Sequence, residues 1–114
     1  MPHDPVIAML DIERELIFLA EVARNHTLES FKDDGTAYRA SACSIQTISE
    51  AVRHLPDDWL ANYAEIPWAA IKSAGNKIRH EYFRLDDVIL WKIVTDDGPA
   101  LRAVLQAMLA KHSS

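Results

Sequence analysis

The stretch AYRASACSIQTISEAVRHL, residues 37–55, decides the fold class. Tyr38, Ser41, Ile45, Ile48, Val52 and Leu55 recur at steps of 3, 4, 3, 4 and 3, the period at which an α-helix returns to one face. A half-buried strand would alternate at every second residue instead. Ala40, Ser41, Ala42, Cys43 and Ser44 crowd one side with small side chains. Such a side lets another helix come close, whether from the same chain or a second copy. Cys43, among small apolar neighbours, is expected to be a buried structural thiol rather than a nucleophile.

Helical signals continue on both sides of this stretch. Upstream, Pro5 suits a first helical turn. Met9, Ile12, Leu16, Leu19, Ala20 and Ala23 then mark one apolar face as far as about Asn25. Thr27 can cap a short turn through Phe31, and Lys32 to Thr36 reads as a loop. Downstream, Pro56 stops the helix of residues 37–55, and Asp57 and Asp58 precede a short helical piece from Trp59 to Tyr63. Pro67 opens a further main helix, with Trp68, Ile71, Ala74 and Ile78 on its apolar side and Lys72, Asn76 and His80 on another. Leu85, Asp86 and Asp87 form a break whose carboxylates can cap an apolar helix from Val88 to Val94. Thr95 to Pro99 reads as a loop. Pro99 begins a last helix facing its core with Leu101, Val104, Leu105, Met108 and Leu109, and residues 111–114 read as a frayed tail. With no repeat, low-complexity segment or linker, the expectation is one domain over residues 1–114. Its expected architecture is an all-α antiparallel helical bundle of four to five main helices.

Composition narrows the function. Hydrophobic residues make up 49% of the 114, enough for an ordinary core without staples. A single cysteine excludes an internal disulfide and suits a reducing compartment. No apolar run approaches the roughly 20 residues that span a bilayer, and Met1-Pro2-His3-Asp4 lacks the basic start of a signal peptide. The expectation is a cytoplasmic protein with no membrane partner. A net charge of −5 argues against non-specific coating of nucleic acid. The charge is uneven, however: Lys72, Lys77, Arg79 and Arg84 stand against Glu81 alone between residues 69 and 84. That balance suits either a small phosphate site or a solvated helix face.

No glycine-rich phosphate loop, cysteine cluster or helical His-Glu-x-x-His pair occurs. His3, His26, His54, His80 and His112 are scattered, which argues against a zinc enzyme. The reading therefore calls for no metal and no cofactor. Within IPWAAIKSAGNKIRHEYFRLD, residues 66–86, His80 shares a helical face with Asn76, and Lys77 and Arg84 lie three and four residues to either side. A histidine that moves protons near neutrality and a cation that stabilises charge on phosphate suffice for RNA cleavage with the 2′-hydroxyl as nucleophile. From chemistry alone, a lone helical histidine is more often a surface or hydrogen-bonded structural residue.

The same segment resembles the signature of the HepT-like family of HEPN proteins. That pattern runs Trp, Gly-Met-Arg-Asn, three variable residues, His-x-Tyr-Phe and a Leu/Ile-Asp pair, before an apolar helix ending near Trp. Pro67-Trp68, Ile71, Asn76, His80, Tyr82, Phe83, Leu85-Asp86 and Trp91 match it. Ile48-Ser49-Glu50-Ala51 resembles the family's Ile-Gly-Glu-Ala, and Leu101 follows Pro99 where the family has Pro-x-Leu. The resemblance implies a small helical toxin, a metal-independent endoribonuclease acting as a homodimer beside a minimal nucleotidyltransferase antitoxin, with RNA as substrate. It gives His80 the proton transfer and Asn76 a supporting hydrogen bond, while the local basic charge makes Lys72, Lys77, Arg79 and Arg84 the candidates for phosphate or RNA binding. Tyr82 matches the tyrosine that the partner can modify with AMP, an anion that would block a phosphate-binding cleft.

One position departs from the pattern. The family motif places arginine five residues before the histidine, where this chain has Gly75. Arg79 lies about 100° round the helix from His80 and does not simply replace it. Two readings follow: a ribonuclease using another cation, or a catalytically impaired subunit that docks a nucleotidyltransferase or binds nucleotide or RNA.

Overall fold

Asp4 accepts a hydrogen bond from the Val6 amide at 2.9 Å, and Pro5 occupies the first turn, so α1 (Pro5–Asn25) starts where the sequence predicts. The protein is seen in a computed structural model that describes residues 4–81 and 86–112, with the backbone alone at Glu81. Thr27 and Ser30 then exchange side-chain and backbone hydrogen bonds in a capping box that opens α2 (Leu28–Asp33). The loop expected over residues 32–36 shrinks to Asp34, whose carboxylate accepts from the Ala37 amide at 3.0 Å and opens α3 (Gly35–Val52). One capping side chain is enough here because α2 and α3 meet at an extended residue with no further chain to accommodate. Three shorter or later helices follow: α4 (Asp57–Ala61), α5 (Trp68–Glu81) and α6 (Asp87–Lys92). Asp86 caps α6 by accepting from Val88 at 2.8 Å, as its carboxylate suggested.

The loop expected at Thr95 to Pro99 is instead a π-helical turn, Ile93–Asp97, that joins α6 directly to α7 (Gly98–His112). Pro99 has no amide hydrogen, and its ring would crowd the carbonyl four residues back in a tight helix. Widening that turn keeps the chain helical, and the Gly98 amide reaches the Ile93 carbonyl five residues earlier. Of the tail expected to fray, Lys111 and His112 are helical, and Ser113 and Ser114 lie outside the described residues. His112 is the last helical residue, and its ring stacks on Trp59 at 3.7 Å.

The long helices α1, α3, α5 and α7 form the bundle. α1 packs against both α3 and α7, and α3 packs against α5, so the order in space is α5, α3, α1, α7. Met9, Ile12, Leu105 and Met108 are fully buried, each contributing about 1.5–3 kcal/mol by leaving water. Phe31 of α2 is also fully buried and lies 5.1 Å from the Trp91 ring, which ties α2 to α6. The sequence thus placed Trp91 in a family pattern, and the fold uses it for packing.

Three of the five small residues on that side of α3 pack within the chain. Ser41, Ala42 and Ser44 are buried, and the Ser44 hydroxyl donates to Glu15 of α1 at 2.7 Å. The expectation for Cys43 is corrected: its thiol is exposed. On a helix a 3–4 period buries its neighbours at positions 41, 42, 44 and 45 and turns position 43 outward. Among the described residues, no helix is long and apolar enough to cross a membrane.

Candidate active site

Trp68 anchors the helix that carries the candidate residues. Its indole N–H lies 3.0 Å from both the Leu60 and Tyr63 carbonyls and donates to the end of the α4 segment. That contact fixes where α5 starts. Ile78 is buried further along, and Ile71 and Ala74 are half-buried against the core. The opposite face, with Ser73, Asn76, Lys77, Arg79 and His80, is exposed. Arg79 and His80 sit in the last turn, where a positive charge complements the helix dipole.

Two residues of α3 and its C-cap Arg53 fasten α5 from behind. The Ser49 hydroxyl donates to the Lys72 carbonyl at 2.9 Å and accepts from the Gly75 amide at 3.1 Å. The Arg53 guanidinium donates to the same Lys72 carbonyl at 2.8 Å. Glu50 pairs with Arg79 at 2.8 Å. Position 53 meets 72, and position 49 meets 75, so the two helices run antiparallel across this contact. Sequence reasoning noticed residues 48–51 only as part of a pattern and assigned no task to Ser49, Glu50 or Arg53. An S-E-x-x-R run at helical spacing places all three on neighbouring faces, but nothing in it names the partner helix.

Gly75 is therefore an internal residue. It is buried at the crossing, and a Cβ there would lie 2.5 Å from Ser49 Oγ and 2.8 Å from Ser49 Cβ. Asn76 and His80, one turn apart, share the outward side. His80 is exposed and makes no hydrogen bond or ion pair with any described residue.

The candidate cations are not equivalent. Lys72 is partly covered and reaches Asp57 at 3.7 Å, while Arg79 is engaged by Glu50. Both are exposed pairs of small individual value. Lys77 is exposed and enters no ion pair among the described residues. It stands three residues before His80, within reach of the same side of the helix. Tyr82 and Arg84 lie outside the described residues.

Two titrating groups border the frame. Tyr38 of α3 is pushed up, first by burial and then by the carboxylates of Asp87 and Asp86 at the start of α6. It stays a neutral phenol at physiological pH. Asp34 is held below its ordinary 3.8, chiefly by the Ala37 amide and next by the His26 ring at 3.2 Å. A groove of about 290 Å³ between α1 and α7, lined by Leu16, Leu19, Val94, Arg102 and Gln106 among others, includes no residue of α5. It is separate from the Asn76–His80 face.

The frame that presents this face is a known one, since residues 12–108 match the ribonuclease HepT-like family. The chain belongs to that family. A HepT-like relative in Caldanaerobacter subterraneus subsp. tengcongensis, named as a candidate RNase, is 31% identical over 101 residues, covering 89% of this chain and 90% of its own. Another, so named in Methanocaldococcus jannaschii, is 31% identical over 100 residues, with 87% and 83% covered. A probable ribonuclease HepT of Thermococcus cleftensis is 30% identical over 98 residues, with 86% and 89% covered. No solved structure matches the HepT-like chain.

Proposed function

We propose that this HepT-like chain is a metal-independent endoribonuclease whose reacting face is Asn76–His80 on α5, with Lys77 facing the phosphate. The observation that carries the reading is an exposed His80 one turn from Asn76, beside Lys77, with neither side chain in an ion pair among the described residues. The neutral His80 imidazole takes the proton of a ribose 2′-hydroxyl, and that oxygen forms a bond to the adjacent phosphorus. The bond from phosphorus to the 5′-oxygen breaks, and an imidazolium returns the proton to the departing oxygen. Products are a 2′,3′-cyclic phosphate and a 5′-hydroxyl. The amide of Asn76 orients the ring or the phosphate, and Lys77 offsets negative charge gathering on the phosphate oxygens.

The wider setting in this reading is a toxin acting as a homodimer, held by a minimal nucleotidyltransferase antitoxin that can modify Tyr82. Support for it is the sequence pattern; Ser41, Ala42 and Ser44 of the small-residue side of α3 are buried within the chain. A monomer by light scattering at micromolar concentration would count against the homodimer. Gly75 favours the second reading, a catalytically impaired subunit that binds nucleotide or RNA and docks the nucleotidyltransferase.

Incubation of purified protein with structured and unstructured RNAs in EDTA separates the two. The nuclease reading expects cyclic-phosphate ends from the wild type and their loss in His80→Ala. Equal cleavage by His80→Ala, or none by the wild type, overturns it, and the latter result leaves the binding subunit.

A further inference from the structure

Ser49 lies 26 residues before Gly75 and is nearly fully buried, yet its hydroxyl makes two hydrogen bonds to one turn of α5. It donates to the carbonyl of Lys72 and accepts from the amide of Gly75, so it bridges groups that flank the turn just before Asn76. Buried hydroxyls are placed where their partners are met on both sides. The second half of the observation is steric. A Cβ at 75 would come within 2.5 Å of Ser49 Oγ and 2.8 Å of Ser49 Cβ, and the Gln46 carbonyl lies 3.6 Å away. The hydroxyl can rotate aside, but Cβ of Ser49 is fixed to the α3 backbone. Glycine at 75 is thus demanded by the side chain at 49, not by backbone conformation, because no glycine here has positive φ.

We propose that Ser49 and Gly75 form one steric and hydrogen-bonded unit that seats α5 on α3, making Ser49 a positioning residue for the Asn76–His80 face. The hydroxyl occupies the room that a side chain at 75 would need, and holds the turn from 72 to 76 at a fixed depth and rotation. Asn76 follows Gly75 directly, and His80 follows one turn later, so a change in the seat turns both. This rests on the reading of Asn76 and His80 as the reacting face, but the seat itself does not.

A stability cycle with Gly75→Ala, Ser49→Gly and the double variant tests the unit, with amide NMR on Ser49→Ala. Alanine for glycine inside a helix ordinarily stabilises, so the sign is diagnostic. Gly75→Ala is expected to lower Tm by about 5 °C, and the double variant to recover most of that loss relative to Ser49→Gly. In Ser49→Ala, the Gly75 amide should exchange faster and amide shifts should concentrate between residues 72 and 80, sparing α1 and α7. At a temperature where every variant is folded, kcat for RNA should fall about tenfold in Ser49→Ala with KM within twofold. A Tm that rises in Gly75→Ala, additivity in the cycle, or unmoved amides overturns the unit. An unchanged kcat in an active protein overturns the positioning role. Absence of cleavage by the wild type sinks the nuclease reading instead, while the cycle and the amides still decide the seat.

Discussion

Placing arginine at 75 looks from the sequence like a simple repair of the nuclease motif, and the structure predicts that it fails on its own. Ordinary van der Waals contact for a Cβ begins at 3.4 Å, so the 2.8 Å approach to Ser49 Cβ is short by about 0.6 Å. The guanidinium must also find a way out between α3 and α5. Overpacking of this kind costs about 1–3 kcal/mol, and the loss of the two Ser49 hydrogen bonds adds about 1 kcal/mol each. Removing a helical glycine returns about 0.5–1 kcal/mol. Gly75→Arg alone should therefore be destabilised by about 2–4.5 kcal/mol. Ser49→Gly together with Gly75→Arg removes the obstacle and should regain the overpacking part of the loss, less about 0.5–1 kcal/mol for the new helical glycine, while the two Ser49 hydrogen bonds stay lost. If the arginine then reaches the Asn76–His80 face, a cation of this type is worth about 10²–10³ in rate. The assay pairs urea denaturation with single-turnover cleavage of RNA in EDTA, for the wild type, both single variants and the double. A single Gly75→Arg variant as stable as the wild type would refute the steric reasoning. A stable double variant with no gain in rate would refute the placement of position 75 next to the reacting face.

Two other perturbations probe the frame. Trp68→Phe keeps most of the ring but removes an N–H shared between the Leu60 and Tyr63 carbonyls. It should cost about 1–2 kcal/mol in urea unfolding, and a cost near zero would show that α5 is not anchored there. Asp34 is held below its ordinary 3.8 by the Ala37 amide and the His26 ring, so its contribution to stability is complete above that value and fades as pH falls through the lower folded one. The Tm difference between wild type and Asp34→Ala should be constant near about pH 6–7 and narrow below about pH 4; a difference that persists unchanged at about pH 3 would refute the linkage.

Local chemistry accounts for what was legible. Pro5, Thr27, Asp86 and the 3–4 spacing along α1 and α3 act within a few residues of themselves, so helix starts and apolar faces could be read without knowing the fold. Pro99 was legible as a helix opener, but not the π turn ahead of it. That turn depends on α6 and α7 continuing in one packed rod, with Gly98 close to Leu16 of α1. The small-residue side of α3 was readable as a close-approach surface, yet its partner was not, because α1 and a second copy make the same demand on sequence.

His80 is the clearest division between the two levels. Its residue type, its place one turn after Asn76, and the basic surroundings are properties of a linear helix, and the sequence by itself determined them. So too the absence of arginine at 75. The crossing of α3 and α5, by contrast, supplies the side chain that crowds position 75 and sets which cations, among the described residues, enter ion pairs. Ser49 reaches Gly75, Glu50 takes Arg79 and Asp57 takes Lys72 across gaps of 26, 29 and 15 residues. Contacts at that separation follow from the depth and angle at which helices cross. Those are set by buried side chains along the whole interface, so no single stretch of the chain contains them.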